Sequence, residues 1–143
     1  HIMLRFEIEQ DLIEGRLQPE DLPGVWNQKM QEYLGITPAH DGEGVLQDVH
    51  WSFGAFGYFP TYTLGNLYSV QFFEQAQLEI PHLDDEIAAG QLTVLRRWLE
   101  QKIHRWGRMF TPDHLAQRVT GKSINPEPFL TYLEKKYGEL YKL

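Results

Sequence analysis

The run Thr61–Pro81, TYTLGNLYSVQFFEQAQLEIP, sets the fold class. Leu67, Val70, Ala76 and Ile80 recur at the spacing of one helix face, and Pro81 supplies a break. The pattern predicts a helix from Thr61 or Thr63 to Ile80. Working outward, the same period returns. Leu4, Ile8 and Leu12, with Ile13 beside them, predict a first helix that stops at Gly15. Pro19 and Asp21 open a second, through Trp26, Met30 and Tyr33 to Gly35. Leu83 to Ala89 reads as a short helix before Gly90. Leu92, Leu95, Leu99 and Ile103 predict one helix from Leu92 to Trp106, with Gly107 as its stop. Thr111-Pro112-Asp113 and Asn125-Pro126-Glu127 are start signals for the last two helices. The expectation is an all-α chain, an irregular bundle of about five to seven helices, with residues 1–143 as a single domain or fragment.

Composition narrows the function. A hydrophobic share of 42% over 143 residues supports one packed core. The net charge of −7 argues against binding a phosphate backbone. His104 and Arg105 among Trp98 and Trp106 therefore read as a packed helix with one solvated stripe rather than a base-stacking platform. Cysteine is absent, which removes thiolate chemistry and is compatible with a reducing compartment. No run approaches a membrane span. The expected partners thus include neither nucleic acid nor membrane, and the expected location is cytoplasmic. His1 enters a helical pattern at once with no initiator methionine, as in a piece of a longer protein or a chain with tag residues before Met3.

Function concentrates in Gly44–Tyr62, GVLQDVHWSFGAFGYFPTY. It mixes an acid, a histidine, tyrosines, a tryptophan and phenylalanines around glycines, which is the lining of a binding site rather than ordinary helix packing. Read alone, His50 is either a hydrogen-bond donor to a ligand or a buried ring satisfied by backbone. Asp48 orients a neighbour or caps a turn, and Gln47 is a polar contact with no assignable partner. Tyr58 and Tyr62 offer hydroxyls to a ligand or pack, and the residues do not rank them. Phe53, Phe56 and Phe59 read as core or pocket wall. Arg5 has Glu9 one turn on for a surface ion pair. Glu7 and Glu9, two apart, do not share a helix face and read as structural.

Three segments resemble the carboxypeptidase Taq family of zinc metallocarboxypeptidases. They are Leu4-Arg5-Phe6-Glu7-Ile8-Glu9, Gly44-Val45-Leu46-Gln47-Asp48-Val49-His50-Trp51, and Gly57-Tyr58-Phe59-Pro60-Thr61-Tyr62 continuing into Leu64-Gly65-Asn66. The resemblance implies release of C-terminal amino acids from peptides, with zinc-activated water attacking the last peptide carbonyl. It also implies a C-terminal segment forming one wall of a substrate groove, and a homo-oligomer. In that scheme Arg5 and a tyrosine, Tyr58 or Tyr62, hold the terminal carboxylate, Gln47 contacts substrate, and His50 is catalytic, stabilising charge near the scissile carbonyl.

The departure from the family is as informative. The family's zinc helix, His-Glu-x-x-His, does not occur. The histidines at 1, 40, 50, 82, 104 and 114 include no pair four apart, the spacing that aims two imidazoles at one metal. Zinc, its ligands and the general base are then expected from a missing N-terminal part, leaving this chain inactive by itself with no metal ligand of its own. Two other readings stay open: a stand-alone helical module that binds peptide C-termini without hydrolysis, and a structural or assembly domain.

Overall fold

A computed structural model describes residues 1–47 and 49–143. Among the described residues it holds seven α-helices and no strand: α1 Ile2–Ile13, α2 Leu22–Leu34, α3 Phe59–Glu79, α4 Leu83–Ala88, α5 Thr93–Lys102, α6 Pro112–Thr120 and α7 Glu127–Tyr141. The all-α expectation holds. The chain divides into two compact units, His1–Leu64 and Gly65–Leu143.

In the first unit α1 and α2 pack around Leu4, Ile8, Leu17, Trp26, Met30 and Val45. Trp26 is the largest side chain buried there, 1% exposed. Helix α2 stops at Gly35, as its sequence predicts, with the Gly35 N–H on the Gln31 carbonyl at 3.1 Å. Pro19–Asp21 departs from expectation: it is a separate 3₁₀ turn, and α2 begins only at Leu22. Helix α3 also differs, starting at Phe59, ahead of the threonines. Pro60 lies in its first turn, where a missing N–H costs no intrahelical bond. Thr61 tightens that start, its N–H and Oγ1 both donating to the Tyr58 carbonyl at 3.0 and 2.6 Å.

The second unit gathers Ala76, Leu83, Trp98 and Val119. Trp98 is buried, and its indole N–H donates to Glu79 Oε2 at 2.8 Å. Lys102 Nζ stands 2.7 Å from the same oxygen. That lysine foremost, with help from Gln75 and Trp98, holds the Glu79 carboxyl below its ordinary range. The single helix expected from Leu92 to Trp106 is broken. Ile103 leaves helical geometry at φ −122° and ψ −64°, and His104–Trp106 is a 3₁₀ turn closed by Gly107 N–H on the His104 carbonyl at 3.0 Å. Thr111 caps α6 by accepting the His114 N–H at 3.4 Å, and Asn125 Oδ1 accepts the Glu127 N–H at 3.0 Å. Between these helices sits Gln71 of α3, 4% exposed. Its amide donates to the Ser123 carbonyl at 3.0 Å and Thr120 Oγ1 at 3.4 Å, and accepts the Asn125 N–H at 3.4 Å.

Candidate active site

The site belongs wholly to the first unit. Helix α1 buries a stripe that is half apolar and half charged: Leu4, Arg5, Ile8 and Glu9. A guanidinium survives such burial only with donors engaged and its faces covered. Arg5 is 5% exposed, so it is no surface partner for Glu9. Its Nη1 donates to the His1 ring. Its guanidinium carbon lies 4.7 Å from the Trp26 ring centre and 5.8 Å from that of Phe59, a cation held between aromatic faces. Glu9 is occupied elsewhere. Its Oε2 accepts the Trp51 indole N–H at 2.9 Å, and its Oε1 accepts the Gly57 N–H at 2.7 Å. Gly57 reaches that oxygen with φ +78°, a conformation glycine adopts without strain.

His50 precedes the 3₁₀ turn Trp51–Phe53. Its Nε2 and the Tyr62 hydroxyl share a 2.9 Å hydrogen bond. Its ring lies 4.9 Å from Phe59 and 5.6 Å from Tyr58, centre to centre. Arg5, His50 and Tyr62 meet, with Ile2 and Phe59, around one open cavity of about 250 Å³. So α1 delivers the cation, the turn delivers the imidazole, and the first turn of α3 delivers the phenol. Tyr58 stands apart from that lining, stacking its edge on Tyr62 at 5.3 Å. Gln47 is exposed and also outside the lining. Asp48 lies outside the described residues.

Glu7 faces the other way from Glu9, as two-residue spacing dictates. Its Oε2 accepts from Lys29 Nζ and the Tyr33 hydroxyl, both at 2.6 Å, tying α1 to α2. The lysine hydrogen bond foremost, then the tyrosine, holds the Glu7 carboxyl below its ordinary range, and Lys29 is raised in return. Sequence reasoning missed Ile2 and Trp26 as parts of this site. The available signal was the charged pair Arg5 and Glu9 inside an apolar helical stripe, since residues four apart share one face.

Residues 1–137 match the family model of the carboxypeptidase Taq (M32) metallopeptidases. The chain belongs to that family. It is 49% identical over 141 residues to thermostable carboxypeptidase 1 of Thermus thermophilus, covering 99% of this chain and 28% of that protein. It is 42% identical to carboxypeptidase 1 of Bacillus subtilis, covering all of this chain and 28% of that one. The fold matches the M32 carboxypeptidase from Deinococcus radiodurans R1 with a TM-score of 0.93 at 40% identity, over 100% of this chain and 29% of the other. Trypanosoma cruzi metallocarboxypeptidase 1 matches at 0.90 and 44%, over 96% and 29%. The chain therefore spans a little over a quarter of the M32 relatives it matches.

M32 membership implies a metal. Among the described residues no three His, Cys, Asp or Glu side chains gather as a metal site would require. The Nε2 of His50 is already engaged by Tyr62. The described donors of this chain do not fit that metal. Among the described residues no helix is long and apolar enough to cross a membrane.

Proposed function

We propose that the chain is the C-terminal, substrate-groove segment of a zinc-dependent carboxypeptidase that releases C-terminal amino acids from peptides. Arg5 and Tyr62 hold the terminal carboxylate, and His50 donates a hydrogen bond near the scissile carbonyl. Tyr58 backs His50 and Tyr62 from outside the cavity lining and meets the peptide beside them, and Gln47 contacts the peptide further out. The metal, its ligands and the general base come from residues beyond this chain. The whole protein works as a cytoplasmic homo-oligomer.

The observation that supports this reading is the convergence of Arg5, His50 and Tyr62 on one small cavity. A guanidinium against an aromatic wall recognises a planar carboxylate with two parallel hydrogen bonds. The neighbouring phenol–imidazole pair spends one proton on its own hydrogen bond and keeps a further donor for the ligand, which suits a negatively charged group.

The test is calorimetric titration of the chain with acetyl-Ala-Ala, as free acid and as amide. The free acid is expected to bind about ten- to a hundredfold more tightly, the worth of hydrogen bonds to a charged group. Arg5→Ala is expected to abolish that preference. Equal binding of acid and amide by the unaltered chain would sink the carboxylate reading.

A further inference from the structure

Glu9 is a carboxylate inside the apolar stripe of α1, 3% exposed. A charge so buried is stable only where its oxygens find donors. Both donors come from one segment, the Trp51 indole at 2.9 Å and the Gly57 backbone at 2.7 Å. They bracket the loop that begins one residue after His50. The His50 carbonyl, just ahead of that bracket, accepts the N–H of Ala55 inside it at 2.8 Å. One turn earlier on the same buried face of α1 stands Arg5. Glu9 itself does not line the cavity.

The geometry points to Glu9 as a positioning residue that fastens the His50 segment to the helix carrying Arg5. It thereby sets the separation of imidazole and guanidinium, and so the size of anionic group, a peptide carboxylate, that fits between them. That last step rests on the proposed function. Glutamine in its place offers one acceptor to two donors. Aspartate keeps both acceptors on a shorter arm.

Nuclear magnetic resonance on the 143-residue chain tests this without an activity assay. Glu9→Gln is expected to speed exchange of the Gly57 amide by about tenfold or more, the loss of a hydrogen bond to a charged group. It is also expected to weaken the Overhauser contacts of the His50 ring with Phe59 and Tyr62, while the signals of residues 65–143 stay in place. Glu9→Asp should keep a larger share of both. Where Glu9→Gln does not fold, Trp51→Phe removes one donor, leaves the carboxylate, and should weaken the same His50 contacts. A folded variant with unchanged His50 contacts and unchanged Gly57 protection overturns the proposal. Binding then separates the two claims. If the unaltered chain prefers acetyl-Ala-Ala acid over its amide, Glu9→Gln should lose most of that preference, and full retention overturns the positioning role. If the unaltered chain shows no preference, the carboxylate reading fails, and the resonance data alone decide for or against Glu9.

Discussion

A methyl group on Gly44 would lie 3.2 Å from Nε1 of Trp26 and 3.3 Å from the Pro38 ring. Gly44 is therefore a close-approach glycine: its backbone comes close to the indole nitrogen of Trp26 in the first core. Gly44→Ala is expected to destabilise the chain by about 1–3 kcal/mol, the cost of overpacking a buried site. Gly65 is the control, since it sits in α3 and a methyl group there would meet nothing within 4 Å. Gly65→Ala is expected to stabilise by about 0.5–1 kcal/mol through helix propensity. Urea unfolding of the two variants gives both signs.

Tyr62 and Tyr58 separate by their partners. The Tyr62 hydroxyl bonds His50 at 2.9 Å and lines the cavity, whereas the Tyr58 ring packs on His50 and Tyr62. Tyr62→Phe is expected to weaken binding of acetyl-Ala-Ala acid by about two- to tenfold, one net hydrogen bond. Tyr58→Phe should change it less. The reverse order in calorimetry would reassign the carboxylate contact to Tyr58.

The Glu7–Lys29 tie makes stability depend on pH at both ends. The lysine and tyrosine hydrogen bonds lower the Glu7 carboxyl from 4.5, so the unfolded chain takes up that proton first. The contribution is complete above 4.5 and drains away as pH falls through the lower folded value. Lys29 is raised from 10.5, chiefly by Glu7, so its contribution is complete below 10.5 and is lost as pH rises through the folded value. The pair is partly exposed, which keeps the effect modest. Glu7→Gln is expected to flatten the acid limb of a plot of urea midpoint against pH, and an unaltered limb would deny the tie.

His82 carries the left-handed backbone, φ +60° and ψ +28°, just before α4. Its side chain is exposed, and its 3.5 Å approach to Asp85 is an exposed pair of little worth. His82→Gly is expected to raise the melting temperature, with a gain of about 0.5–1 kcal/mol from relief of the left-handed strain.

Equimolar zinc is expected to leave the melting temperature of the chain unchanged, because no ligand cluster stands among the described residues to gain from it. A zinc-dependent rise, removed by a chelator, would place a metal site in this chain.

The helices were legible because their signals are local. Leu4 and Ile8, Gly35, and the Thr111-Pro112 cap act through neighbours within one turn, and each does in the structure what its spacing implies. The break at Ile103 was not legible. The apolar period runs through it, and only the tightened turn that follows, closing on Gly107, shows where the helix ends. For the site, Arg5 and Glu9 read as a surface pair because their charges and spacing fit an exposed ion pair, although they share the stripe of Leu4 and Ile8. Arg5 reaches His1 one turn back, but Trp26, Trp51 and Gly57, which meet the pair in the interior, lie between 21 and 48 positions away, and contacts at that separation leave no periodic trace.

One side-chain amide, that of Gln71, meets the connection from α6 to α7 at Thr120, Ser123 and Asn125. A connector touched at three points by a single rigid group has no slack to take up. Adding or deleting even one residue between Thr120 and Asn125 would pull at least one of those contacts out of reach. Length variation among relatives that share this glutamine should accordingly collect in other connections, and an alignment gap opening here would mark a relative in which α7 is tethered by some other means.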